Sequence, residues 1–173
     1  MKKRLSEIER SRIDDRRIYG LVVKETDSLV LIHRVVDFLF DGILVIRQKD
    51  ITDRINGSSR ELRYENIMRA EGLWKTAGRF VNNLPILDWK ELLDALIGKP
   101  VLIENETNSS CWIGVVEICG EKKVSLRCFD SLGVPDNDLT QVPYRNITAA
   151  QFGDRYTQLQ SKYKAGFSTV SVR

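Results

Sequence analysis

Few side chains in this chain have the type and spacing that chemistry requires. His33 is the single histidine, and it sits inside an apolar run, Leu29 to Val36, with no nucleophile or carboxylate beside it to form a proton relay. A strand histidine at a surface is the reading its neighbours support. Cys111, Cys119 and Cys128 are odd in number and lack the paired spacing of a zinc site. Cys119 and Cys128 can face each other across a hairpin, but three buried thiols acting as small apolar residues are the default. There is no Gly-rich phosphate loop, no metal-ligand spacing and no nucleophile elbow, so no cofactor, no metal and no enzymatic activity are expected. What remains is binding. Lys122, Lys123 and Arg145 are suited to phosphate groups, and among the tryptophans Trp74 and Trp112 are candidate anchors for a protein partner. Trp89 belongs to a helical stripe and reads as core.

The elements that must position these residues are mostly strands. Val101 to Asn105, Cys111 to Cys119 and the alternating Lys123 to Phe129 read as three strands joined by short polar turns. Asp130 to Asp138 is a loop, and Leu139 to Val142 and Ile147 to Phe152 are two further short strands. Five short strands in so little chain suit a small closed barrel, which has no free edges.

An earlier stretch, Tyr19 to Thr52, repeats the pattern in shorter form, with strands at Tyr19 to Val23, Leu29 to Val36 and Ile43 to Arg47 and a hairpin turn at Asp41-Gly42. Glu25-Thr26-Asp27-Ser28 stands against Glu106-Thr107-Asn108-Ser109, and Ile46 to Thr52 against Val142 to Thr148. Duplication is the favoured reading.

Between the repeats lie two helices. Ser59 to Ala70 carries an imperfect apolar stripe, and a looser segment follows through Gly72, Gly78, Asn82, Asn83 and Pro85. Asp88 then caps a helix whose Trp89, Leu92, Leu93, Leu96 and Ile97 recur at helical spacing, with Gly98 and Pro100 ending it. That stripe must be buried on one or both repeats. A closing helix begins at Asp154 with Tyr156, Leu159 and Tyr163 on one face and Gly166 at its end; Phe167 to Arg173 is an edge strand or a mobile tail. Residues 1–17 mix basic and acidic side chains around Leu5, Ile8 and Ile13 and fit either a short, weakly amphipathic helix or a frayed arm. The expected architecture is mainly β with α: two small β-barrels in tandem, joined by a helical linker, with a C-terminal helix. Its parts are 1–57, 58–99 and 100–173.

Composition bounds the partners. Twenty-seven basic and 24 acidic residues leave a net charge of +3, too mild to demand a polyanion, and 42% hydrophobic content suffices for a core. No run approaches the length of a membrane span, and the basic start lacks the apolar segment of a secretory signal. A cytoplasmic protein is the expectation.

Gly114, then Glu121-Lys122-Lys123-Val124-Ser125-Leu126, then Tyr144-Arg145-Asn146-Ile147, resembles the two signature segments of the Sm-like proteins. The resemblance implies that the tandem units are SH3/Sm-like β-barrels, bent and five-stranded, of a kind that often forms rings on single-stranded RNA, so an oligomer is one possibility. Position by position, Ser125 stands where that family has a base-contacting Asn, Arg145 keeps the Arg, Asn146 replaces a Gly and Glu121 an Asp. Lys122 and Lys123 fill the loop where a base-stacking residue is usual, which retains phosphate attraction without stacking. The chain is also similar to small bacterial proteins with an Ile-Thr-x-x-x-Phe-Gly-x-x-Tyr pattern, here Ile147 to Tyr156, a likeness that implies no activity. The expected function is that of a non-enzymatic protein-interaction or scaffold protein. The alternative is single-stranded RNA or DNA binding through Lys122, Lys123, Ser125, Arg145 and Asn146.

Overall fold

A computed structural model describes residues 4–77, 83–130 and 133–162. Its strands are β1 (Leu5–Arg10), β2 (Asp14–Glu25), β3 (Leu29–Val36), β4 (Leu39–Arg47), β5 (Asp53–Asn56), β6 (Pro100–Asn105), β7 (Ser110–Cys119), β8 (Lys123–Cys128), β9 (Thr140–Pro143) and β10 (Ala149–Phe152). Three α-helices accompany them: α1 (Ser59–Ala70), α2 (Trp89–Asp94) and α3 (Arg155–Lys162). Gly78 and Asn82 of the loose segment, Tyr163, Gly166 and the Phe167 to Arg173 tail lie outside the described residues.

The two closed tandem barrels joined by a helical linker are not formed. All ten strands belong to one open antiparallel sheet, in the order β5-β1-β2-β3-β4-β10-β6-β7-β8-β9. The joint is β10, which pairs on one side with β6 and on the other with β4, through Ile46↔Ala149, Val45↔Ala150, Leu44↔Gln151 and Ile43↔Phe152. Side-chain alternation reports which face of a strand is buried and is silent on which backbone edge is paired, so this joint leaves no mark in the strand pattern.

The order does repeat: β5-β1-β2-β3-β4 in the first half matches β10-β6-β7-β8-β9 in the second, and a 3₁₀ turn precedes the fifth strand each time, Gln48–Asp50 and Tyr144–Asn146. The match of Ile46–Thr52 to Val142–Thr148 falls on equivalent positions. Glu25 to Ser28 does not, because it lies at the β2–β3 turn whereas Glu106 to Ser109 lies between β6 and β7, one hairpin earlier. The first repeat accordingly begins at β1, not at Tyr19. Neither a helix nor a frayed arm precedes it among the described residues, since Leu5–Arg10 is a strand held between β2 and β5. Its polar positions Glu7 and Arg10 are buried because charged partners from elsewhere meet them, and no local pattern announces that.

Three apolar clusters hold the sheet. The first joins Leu29, Leu31, Ile43 and Val45 of one half to Val101, Ile103, Val116, Val124 and Leu126 of the other, with Trp89, Leu92, Leu93 and Leu96 of the α2 segment laid across both. Removing Leu92 from this site would cost about 2–5 kcal/mol. The helix stops at Asp94, short of its apolar stripe, and Ile97 is left exposed on the following turn. The opposite face gathers Ile8, Ile18, Val30, Ile32, Leu44, Ile46 and Ala149, so the centre of the sheet is buried on both sides. A third cluster of Leu5, Leu21, Val35 and Met68 lies under α1, whose capping box is closed by Ser58 and Glu61. Gly114 serves close packing within the sheet, since a Cβ there would stand 2.5 Å from the Arg127 carbonyl oxygen. The open edges carry Asp53 and Arg54 on β5 and Pro143 on β9, residues that discourage edge-to-edge pairing. No α-helix of the described residues is long and apolar enough to cross a membrane.

A buried ion pair also ties the halves together. The Arg10 guanidinium donates to both carboxylate oxygens of Glu106 at 2.6 and 2.7 Å, with side chains 4% and 8% exposed. The Thr148 hydroxyl lies 2.9 Å from Glu106 Oε2 and accepts the Glu106 N–H at 3.0 Å. Removing one partner leaves a buried charge uncompensated. Arg10→Met or Glu106→Leu alone is expected to lose roughly 3–5 kcal/mol in urea denaturation, and the double variant less than the sum, giving a positive coupling in the double-mutant cycle.

Candidate functional site

The β3–β4 hairpin turns at Asp37-Phe38, both in the left-handed region (φ 46° and 65°), the geometry of a two-residue primed turn. The turn expected at Asp41-Gly42 is instead a bulge, where pairing passes from Val35↔Phe40 to His33↔Ile43. Gly42 has φ 70°, and a Cβ on it would sit 2.5 Å from the Asp154 backbone nitrogen. Glycine thus lets the start of α3 settle against the hairpin. The contact is polar: Asp41 Oδ1 accepts the Arg155 N–H at 2.9 Å, Asp154 Oδ1 accepts the Thr157 N–H at 2.9 Å, and the Thr157 hydroxyl donates to Asp154 Oδ2 at 2.6 Å. Asp154 caps α3 as the sequence implied.

Between hairpin and helix opens a cleft of about 970 Å³. Leu39 and Phe40 come from the hairpin, Leu84 from the segment before α2, Leu96, Lys99 and Pro100 from the chain after it, Phe152 from β10, and Arg155, Leu159 and Lys162 from α3. The helix buries Thr157 and leaves Tyr156 50% and Leu159 47% exposed; Leu39 is 46% exposed. His33 lies in the wall, 2% exposed and stacked on Phe40 at 4.4 Å between ring centroids. Burial pushes its imidazole down to about 4, against the pull of the Asp41 carboxylate, so it is neutral at pH 7. Asp37 and Asp41 of the hairpin line the cleft together with three cations, Lys99, Arg155 and Lys162.

The residues singled out in the sequence lie elsewhere. Register places Lys123 opposite Pro143, and the Tyr144 N–H donates to the Lys122 carbonyl at 3.1 Å, so Lys122, Lys123 and Arg145 share one end of the β8–β9 ladder. Lys123 Nζ donates to Gln141, Arg145 is exposed and Asn146 half-buried. Ser125 is buried, opposite Gln141, and does not reach this end. The ring beside these cations, Tyr144, is packed against the first cluster; its hydroxyl donates to the Gly120 carbonyl at 3.0 Å, and burial pushes its pKa well up. Trp74 is half-buried in the third cluster, with the Arg69 guanidinium 4.1 Å from its ring centroid and Phe40 edge-on at 5.6 Å. Trp112 is half-buried opposite Ile103 and packs on the first cluster. Trp89 is core, as its stripe required.

All three cysteines are free, with Cys128 buried, Cys119 half-buried and Cys111 exposed. Desolvation pushes each thiol up, away from the reactive thiolate.

Sequence reasoning missed Leu39, Phe40, Lys99 and Arg155 as a group. The α3 stripe containing Leu159 was the one visible signal. No protein-family model matches the chain, and no curated protein or solved structure is significantly similar to it.

His33 gives this site a pH signature. Unfolded, its imidazole takes up a proton near pH 6.5, which the folded protein refuses until about 4. Stability therefore falls as pH drops from about 6.5 and levels off below about 4, by on the order of 3 kcal/mol at the limit. Urea unfolding across this range is expected to show a shallower pH slope in His33→Leu than in the native chain.

Proposed function

We propose that this chain is a non-enzymatic binding protein that takes its ligand in the cleft between the β3–β4 hairpin and α3. The observation that carries this reading is the exposure of Leu39 and Leu159 inside a concave site whose walls are otherwise fixed. The floor is anchored in the first cluster through Phe152 and Leu96, and α3 is fastened by its buried cap. Apolar side chains left open in a cleft of this size, with a few charged groups around them, match the general anatomy of ligand sites. The test is a neutral, environment-sensitive dye, Nile red. Saturable fluorescence enhancement is expected, weakened at least about fivefold by Leu39→Asp or Leu159→Asp, the loss of roughly one buried apolar contact. Enhancement that is absent, or indifferent to both variants, overturns the reading.

A second reading is supported by the gathering of Lys122, Lys123 and Arg145 at one ladder end: single-stranded nucleic acid held by phosphate contacts. Binding of short single-stranded RNAs at two salt concentrations tests it. Three phosphate contacts predict a logarithmic salt slope of about −2, flattened in Lys122→Ala, Lys123→Ala and Arg145→Ala. No binding at low salt retires it.

A further inference from the structure

Resting on the cleft reading, we infer that the ligand is an amphipathic anion, an apolar body of roughly drug size ending in a carboxylate or phosphate. The apolar part is dictated by the walls: Leu39 and Phe40 on one side, Leu159 on the other and Phe152 beneath. The charge follows from the balance of ionic groups lining the cleft, three cations against the carboxylates of Asp37 and Asp41. Asp41 is engaged by the Arg155 N–H, and its carboxylate lies close enough to His33 to act on the imidazole. Lys99 and Arg155 are exposed at the cleft, and among the described residues neither side chain has a hydrogen bond or ion pair. Lys162 adds a third positive charge against the hairpin's two carboxylates. A ligand with an anionic end therefore gains charge-assisted hydrogen bonds at Lys99 and Arg155 while its body covers the leucines. A neutral ligand gains only the second, and a cationic one meets like charge at Lys99 and Arg155.

The arrangement also separates the two contributions. Arg155 holds Asp41 through its backbone N–H, so changing its side chain leaves the seating of α3 intact.

The experiment uses the full chain and four amphiphiles of equal length below their micellar concentrations: decanoate, decyl phosphate, decanol and decylamine. Calorimetry gives affinities, and displacement of Nile red shows that the site is the same. Decanoate or decyl phosphate is expected to bind at least about fivefold more tightly than decanol, and the stronger of the two identifies the head group. Lys99→Gln and Arg155→Gln are each expected to remove several-fold of that preference, and the double variant to abolish it. Equal binding of decanol and the anions overturns the inference and leaves the cleft reading standing. Preference for decylamine overturns it in favour of the hairpin carboxylates. Nile red binding that none of the amphiphiles displaces also overturns it.

Discussion

The ladder between β4 and β10 is the constraint on which the rest of this structure depends. It is four residue pairs long, yet it converts two repeats of five strands into one sheet. Ala149 and Ala150 make its first two pairs, one facing each apolar cluster and both fully buried. Their small side chains put little bulk on a strand whose edges are both paired. The α2 segment depends on the same joint, because the cluster that buries Trp89, Leu92 and Leu93 draws on both halves. Separate barrels would have left part of that stripe in water, and burial of each such side chain contributes about 1.5–3 kcal/mol. The apolar helix and the strand joint are thus mutually stabilising.

The cleft follows from where that ladder ends. Ile43↔Phe152 is its last pair. Beyond it the hairpin runs on through the Gly42 bulge to its turn, while the other chain leaves the sheet at Gly153 (φ 69°) and enters α3. Two elements that were hydrogen-bonded neighbours diverge, and the space between them takes its lining from whatever each continues with. A one-residue change in the bulge would exchange the faces taken by Leu39 and Phe40, so the irregular register at Asp41-Gly42 sets how each is presented to that space.

Legibility in the sequence divides along the same physical line. Helices were readable because their signals are local: Ser58 with Glu61, Asp88 with Glu91 and Asp154 with Thr157 are caps written within four residues. β5 (Asp53–Asn56) went unread, and eight of the strands were at least partly visible through alternation and turn residues. β1 was not, since Glu7 and Arg10 are made tolerable inside only by Arg17 and Glu106, and the second of these lies far along the chain. The hairpin turn was misplaced because Asp41-Gly42 is the stronger turn dipeptide by composition, whereas Asp37-Phe38 holds the tighter turn with Phe38 stacked on Tyr64 at 4.3 Å. Lys122 and Arg145 were found because type alone marks a cation. Lys99 and Arg155 were as visible by type, but nothing in the sequence brings them to one cleft.

The treatment of α3 shows why an apolar stripe need not be a packing stripe. Most short helices in proteins are held by burying their apolar face, since isolated helices of this length are unstable in water. Here the attachment is polar and lies at the first turn. Asp154 is 1% exposed and Thr157 0%, the Thr157 N–H and hydroxyl both donate to the Asp154 carboxylate, and Asp41 on the hairpin accepts the Arg155 N–H. A helix fastened in this way has no need to bury Leu159 on its own sheet. The face that would otherwise have been used for folding is left at the edge of a cleft, beside Lys99 and Arg155. The cost of that exposure is recovered only when something apolar covers it, and this is the physical reason to look for a ligand there.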